Sequence, residues 1–338
     1  MQLADFDYEL PESFIAQTPV EPRDSSRLLV LDRSSGALHH RRFHEVGEFL
    51  RAGDVLVFND TRVLPARLSA RKAGTGGAVE LLLLKRRAPL TWEALVGGKR
   101  VQVGTVLEID GVPNLRAVVL EVMEGGERVL QFSQPVTPLL AKIGAAPLPP
   151  YIHAPLADPA RYQTVYAQQP GSAAAPTAGL HFTTALIERL RAQGVHTTFI
   201  TLHIGLDTFQ PVAEAQIEKH RMHGEWCEIG EETAAVIAAA KRDGRRVIAV
   251  GTTSVRTLEA AAQRGPMAPF AGTVNLFIYP GYPFRIVDAL LTNFHLPKST
   301  LLMLVSALAG RERIMAAYET ARREGYRFYS FGDAMLIV

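Results

Sequence analysis

The sequence has one cysteine, Cys227, and two tryptophans in 338 residues. A lone cysteine cannot close an internal disulfide, so a reducing, intracellular setting is expected. No apolar run approaches the roughly 20 residues of a membrane span. The longest, LLMLVSALAG from Leu301 to Gly310, is about half that length, so no membrane partner is expected. The opening MQLADFDYELPESF has neither a basic start nor an apolar stretch. No secretory signal is therefore expected, and a cytoplasmic location is. The chain also lacks the P-loop lysine and spacing, a GxSxG elbow and a paired-carboxylate signature. What remains is an ordinary globular composition, 47% hydrophobic and 21% charged, which excludes bulk disorder.

Formal net charge is only +2, but it is unevenly spread. Nine basic residues lie between Arg62 and Arg100, opposed only by Glu80 and Glu93. The next fifty residues are slightly acidic. A basic stretch of this kind attracts phosphate backbones, although a solvated strand face carries the same composition.

The region from Gly53 to about Pro147 reads as short strands separated by turns, with glycine pairs at Gly76-Gly77, Gly97-Gly98 and Gly125-Gly126. That spacing predicts a small β-barrel or sandwich, with Val106, Ile109, Val118, Leu120 and Val122 as interior residues. Pro147, Pro149, Pro150, Pro155 and Pro159 then exclude regular structure and mark a boundary. Beyond them, helices are predicted over 183–193, 231–242, from Ser254, over 299–309 and over 311–324. Strands are predicted over 195–204, 246–250, 275–279, 285–291 and 327–331. The alternation indicates α/β layers on a substantially parallel sheet. The first fifty residues fit neither pattern. Phe6, Tyr8, Leu10, Phe14 and Ile15 are expected to pack on the large domain. The predicted fold is thus an α/β large domain, discontinuous over 1–58 and 150–338, with an antiparallel β-barrel inserted over 59–149.

Five polar groups stand out. A strand ends in Asn59, Asp60, Thr61 and Arg62, residues able to bond ribose hydroxyls or a carboxylate. Thr177, Gly179 and His181 precede a helix start, where free N–H groups favour an anion. Gly251 to Ser254, followed by Arg256 and Glu259, repeats that strand–turn–helix anatomy. Asn293, Phe294, His295, Lys298 and Ser299 crowd one loop, and Tyr279, Tyr282 and Phe284 line a stiff one. Aromatics there can stack a base or face a cation. His220, His223 and Cys227 match no compact zinc pattern, and no metal is expected.

Together these blocks resemble the S-adenosylmethionine:tRNA ribosyltransferase-isomerase family of the queuosine pathway. The resemblance runs from DFDYELPESFIAQTP and EPRDSSRLLVLDR through GDVLVFNDTRVLPARL, PLPPYI, PTAGLHFT, HIGLDTFQPV and GTTSVRTLE. It ends with YPGYPFRIVDALLTNFHLPKSTLL and YRFYSFGDAML. It implies transfer of the ribosyl group of S-adenosylmethionine onto 7-aminomethyl-7-deazaguanine at the wobble position of a tRNA with a GUN anticodon. Rearrangement gives epoxyqueuosine, with loss of adenine and methionine. It also implies a β-barrel inserted in an α/β domain, and a monomer.

That chemistry makes demands. A base must take the proton on the ribose carbon beside the sulfonium, for which His181 is preferred over His295. Adenine leaves more readily near His295 or Lys298. Phe294, Tyr279 or Tyr282 would face the sulfonium. Arg62, Arg256 or a helix N-terminus such as Thr253-Ser254 would take the methionine carboxylate. Asn59, Asp60 or Glu259 would hold ribose hydroxyls. Lys85, Arg86 and Arg87 are expected on tRNA phosphates. Two rivals are a methyltransferase using the same donor and a non-catalytic RNA-binding protein; release of free adenine separates all three.

Overall fold

The structure is a computed structural model and describes residues 1–123, 126–205, 214–222 and 224–338. The chain forms two compact units. The larger comprises Met1–Arg62, Pro150–Gln169 and Ala175–Val338; the smaller comprises Val63–Pro149 and Pro170–Ala174. Asn59 to Arg62, predicted to open the insertion, therefore stay with the large unit.

Among the described residues, the large unit is built on a sheet of nine strands: β1 (Arg27–Leu31), β2 (Leu38–Arg42), β3 (Val55–Asn59), β4 (His196–Leu202), β5 (Glu225–Ile229), β6 (Val247–Val250), β7 (Phe270–Val274), β8 (Ala289–Asn293) and β9 (Ala334–Ile337). They form one sheet in the order β7-β5-β4-β3-β6-β8-β9-β1-β2. The centre, β4-β3-β6-β8, is parallel. β3, β6 and β8 are buried along their whole length, and continuous runs such as VIAV suit strands covered on both faces. The helices are α1 (Thr184–Ala192), α2 (Glu231–Arg242), α3 (Thr252–Ala262), α4 (Thr300–Ala309) and α5 (Arg311–Arg323). Thr183 caps α1 by accepting the Leu186 N–H at 3.1 Å.

Two predicted strands are absent from their places. Residues 275–279 follow β7 rather than forming it, because β7 is FAGTV, whose glycine weakens the strand pattern. Residues 327–331 are an aromatic turn. Tyr329 at φ +73° breaks an extended path, although Phe328 and Phe331 are buried as strand residues would be. The proline segment holds one 3₁₀ turn, Pro159–Tyr162, capped by Asp158. The N-terminal region, unassigned by pattern, supplies β1 and β2. β1 pairs in parallel with β9, about 300 residues away in sequence. Phe6 is fully buried, and Tyr8 meets Tyr318 edge-on at 5.5 Å.

The small unit is a closed barrel of six antiparallel strands: Arg67–Lys72, Ala78–Ala88, Thr91–Val96, Val106–Ile109, Arg116–Val122 and Glu127–Phe132. Its core includes Leu68, Leu81, Leu83, Trp92, Leu107, Ile109, Ala117, Val119, Leu130 and Phe132. Ile109 is interior as predicted, but the predicted interior is one residue out of phase in the strand Arg116–Val122, and Val106 is only half-buried. Leu120 and Val122 are exposed, while Ala117, Val119 and Leu107 point inward. In RAVVLEV, hydrophobic residues occupy both faces, so composition alone does not choose the phase. Gly125 lies outside the described residues.

Candidate active site

In parallel sheets, ligands bind beyond the carboxyl ends of the strands. Here β3, β4, β6 and β8 end in Asn59, Leu202, Val250 and Asn293. The predicted polar turns meet at these ends. Asn59 Oδ1 accepts the N–H groups of Thr61 and Leu202 at 3.1 and 3.0 Å. Its amide donates to the Leu202 carbonyl at 3.0 Å and to Thr253 Oγ1 at 3.3 Å. Asn59 thereby joins three strand ends. Gly251, at φ +88°, makes the sharp exit from β6 into α3 and supplies no side-chain cap.

The second focus is His181. Asn293 donates from Nδ2 to His181 Nε2 at 3.1 Å and accepts from Thr177 Oγ1 at 3.0 Å. Its Nδ2 also reaches the Tyr329 carbonyl at 3.2 Å. With Nε2 accepting, Nδ1 carries the proton and donates to Ser26 Oγ at 2.7 Å. The ring lies on Phe43, 4.9 Å between centroids and 23° between planes. Burial, reinforced by the charges of Arg327 and Arg23, pushes the His181 pKa down to about 3. Its imidazole is therefore neutral and held in one tautomer. A narrow cleft opens beside it, lined by Val20, Arg23, Arg161, Leu180, His181 and Phe331, among others. Arg23 donates to the Gln163 and Ala160 carbonyls, and Arg161 pairs with Glu21 and donates to the Val20 carbonyl. Among the described residues, Arg161 Nε is buried without a hydrogen-bond partner.

His295 is equally buried, and burial pushes its pKa down to about 3. Its Nε2 lies 2.9 Å from Thr292 Oγ1, while its backbone N–H donates to the Tyr318 hydroxyl at 3.0 Å. The two histidines make stability acid-sensitive. An unfolded histidine binds a proton below about 6.5, whereas these take one up only near 3. Between those values unfolding consumes protons, so stability falls as pH falls, by about 1.4 kcal/mol per unit for each ring. Denaturant melts at pH 5 are expected to show about 4 kcal/mol less stability from this source than at pH 7.

Asp60 is buried and accepts from Thr201 Oγ1 at 2.7 Å. Burial raises its pKa, against the Thr201 bond, with Glu228 adding to the rise. Thr61 Oγ1 lies 2.8 Å from His203 Nδ1. Arg62 is exposed. Gly179 packs under Tyr166: a Cβ there would sit 2.0 Å from the Tyr166 hydroxyl and 2.9 Å from Thr164 Cγ2. The Tyr166 ring is held at 4.7 Å by Phe58 and cannot retreat. Gly179→Ala is therefore expected to cost about 1–3 kcal/mol. Tyr166→Phe in that background should restore part of the lost melting temperature.

Several expected ligand contacts are instead structural. Arg256 is buried against Glu225 and donates to the carbonyls of Leu276 and Val274, so no guanidinium edge is left for a carboxylate. Glu259 is fully buried and accepts the N–H groups of Arg285, Ile286 and Val287, so it pins that loop and does not hold ribose. Tyr282 rests its hydroxyl on Glu259 at 3.4 Å. Tyr279 packs on Phe277 at 5.1 Å. Phe294 has no exposed surface, being packed among Tyr318, Tyr326 and Phe328, and cannot face a sulfonium. Ser254 back-bonds the Val250 carbonyl at 2.9 Å, and Ser299 caps α4 through the Leu302 N–H. Lys298 pairs with Asp7 at 2.7 Å and its N–H binds the Phe6 carbonyl, which ties down the N-terminal segment. Cys227 is buried in β5, where burial pushes its thiol up to about 11. His220 meets Phe277 edge-on, and His223 lies outside the described residues.

Pattern reading passed over Ser26, Phe43, Arg23, Arg161, Tyr166, His203 and Trp226. Ser26 and Arg23 lie within the block EPRDSSRLLV, and that block was the available signal.

Polar strand ends gathered round a neutral, oriented imidazole define an α/β enzyme. Residues 3–337 match the family described as queuosine biosynthesis protein. The S-adenosylmethionine:tRNA ribosyltransferase-isomerases of Moorella thermoacetica and Desulfitobacterium hafniense are 56% and 54% identical to this chain, with full coverage of both sequences in each case. The crystal structure of the S-adenosylmethionine tRNA ribosyltransferase of Thermotoga maritima is 42% identical. It covers 99% of this chain and 100% of its own, with a TM-score of 0.59. The chain belongs to the queuosine biosynthesis protein family. It is an enzyme of the transferase-isomerase class.

Proposed function

We propose that the enzyme transfers and isomerises the ribosyl group of S-adenosylmethionine onto 7-aminomethyl-7-deazaguanine at the tRNA wobble position, giving epoxyqueuosine with release of adenine and methionine. The observation that carries this reading is the convergence of the Asn59, Thr177, His181, Thr253 and Asn293 turns on one set of strand ends. His181 is the base for the ribose carbon beside the sulfonium. Its Nε2 lone pair meets the Asn293 amide, and substrate that displaces this amide gains a neutral acceptor. The cleft wall of Arg23 and Arg161 suits the methionine carboxylate, since the Arg161 Nε–H is a buried donor lacking an acceptor among the described residues. Asn59 and Asp60 are assigned to the ribose hydroxyls, which their side chains can bond. Incubation with S-adenosylmethionine and precursor tRNA should release free adenine in step with tRNA modification. Methylated tRNA without adenine would instead establish a methyltransferase.

The barrel is the proposed tRNA contact. Lys85 and Arg86 are exposed on the strand Ala78–Ala88. Arg87 is bound by Glu93 at 2.7 Å and by Glu121 at 3.4 Å, so its charge is already offset. Neutralising Lys85 and Arg86 should flatten the logarithmic salt dependence of tRNA affinity by about 0.7–0.9 per contact, and neutralising Arg87 should add little. An unchanged slope in the Lys85→Ala/Arg86→Ala variant places the tRNA elsewhere.

A further inference from the structure

Of the two tryptophans, Trp92 is sealed in the barrel core at 4% exposure, whereas Trp226 on β5 is 41% exposed. One face of the Trp226 indole lies on the His203 ring, 5.2 Å between centroids and 20° between planes. His203 is fixed on two sides. Its Nδ1 meets Thr61 Oγ1 at 2.8 Å, and its backbone N–H donates to the Trp226 carbonyl at 3.0 Å. Thr61 is in turn held by Asn59, the residue that joins the strand ends of the crevice. Burial lowers the His203 pKa, so the backing ring is an aromatic surface and not a cation. The pair is thus a rigid two-ring stack with solvent access to the indole.

The surroundings define the chemistry of a guest. Thr201, opposite Glu228 in the β4–β5 register, carries the buried Asp60 carboxyl on its hydroxyl. Asp60 and Glu228 offer acceptors to an amine and repel a phosphate. A flat ring bearing an amine fits both features. Meanwhile Phe294 is enclosed in the core and Tyr282 is tethered to Glu259, so the aromatics expected to stack a ligand are committed elsewhere.

We propose that Trp226, backed by His203, is the platform on which an amine-bearing purine-type ring of the substrates stacks. The proposal rests on the functional reading above, which supplies two such rings: adenine of the ribosyl donor and the aminomethyl-deazaguanine of the tRNA. Stacking of a base on an aromatic side chain is strong enough that its loss should weaken binding by about 5- to 100-fold.

The test uses intrinsic tryptophan fluorescence and steady-state kinetics on the full chain. Wild type, Trp226→Phe and Trp226→Leu are titrated separately with S-adenosylmethionine and with precursor tRNA. Saturable quenching in wild type, absent in Trp226→Phe, supports the platform. Quenching by the donor assigns adenine, and quenching by tRNA assigns the deazaguanine. Trp226→Leu should raise KM for the same ligand about 5- to 100-fold, with Trp226→Phe restoring it and the melting temperature nearly unchanged. If wild type releases adenine, yet neither ligand quenches Trp226 and both KM values in Trp226→Leu stay within about twofold, well short of the loss that stacking predicts, the platform is wrong and the functional reading survives. If wild type releases no adenine, the functional reading fails and this inference falls with it.

Discussion

Replacing His181 with alanine is expected to lower single-turnover adenine release by about 10²–10⁴. The ring is neutral throughout the physiological range, because burial and the nearby arginines push its pKa down to about 3. Its tautomer is set by Ser26 on Nδ1 and Asn293 on Nε2. The alanine variant also leaves those two partners short of a hydrogen bond, at about 1–3 kcal/mol for each buried group left unsatisfied. Rate and melting temperature must therefore be read together. Asn293→Ala separates the two effects. It removes the amide from Nε2 while keeping the base, so its stability loss should resemble that of His181→Ala and its rate loss should be much smaller. The pH profile gives a further check. With His181 as base, kcat should show no acid limb near pH 6.5, where an ordinary histidine titrates. A His181→Ala enzyme that keeps near-normal single-turnover release removes the ring from the reaction.

The second large effect concerns stability. Arg256→Leu is expected to cost about 3–5 kcal/mol, because it leaves Glu225 buried opposite an uncharged side chain. Arg256 and Glu225 are 6% and 7% exposed, so water cannot take the place of the lost partner. Glu225 also accepts the Gly205 N–H at 3.1 Å, so the damage spreads to the exit of β4. KM for S-adenosylmethionine in the surviving folded fraction should be unchanged, since no edge of Arg256 faces a ligand. Replacing both partners with apolar residues should recover much of the stability. A raised KM with an unchanged melting temperature would return Arg256 to the binding site.

The contrast between His181 and Arg256 shows what the chain discloses before folding. Both occur in segments dense with polar residues, and both looked chemically active. The helices over 184–192, 231–242 and 311–323 were readable because periodicity and terminal glycines are local properties. The convergence of turns was readable because polar residues after apolar strands mark the carboxyl ends of a sheet. The fate of an individual side chain was not. Phe294 follows Asn293 directly, yet one is enclosed by three aromatic rings and the other links His181 to Thr177. The difference lies in partners more than twenty residues away. Trp226 was hidden for the opposite reason: in EWCEI nothing but the β5 register decides that the indole faces outward.

The order of strands has a consequence for synthesis. Every strand of the barrel finds its neighbours between residues 67 and 132, so its strand pairing can be completed early in synthesis, before Pro170–Ala174 joins the unit. By contrast β3 waits for β4 and β6, and β1, which has β2 beside it early, waits for β9 on its other edge. One edge of β1 and both edges of β3 thus emerge long before the strands that cover them. During that interval these unpaired edges are open to aggregation.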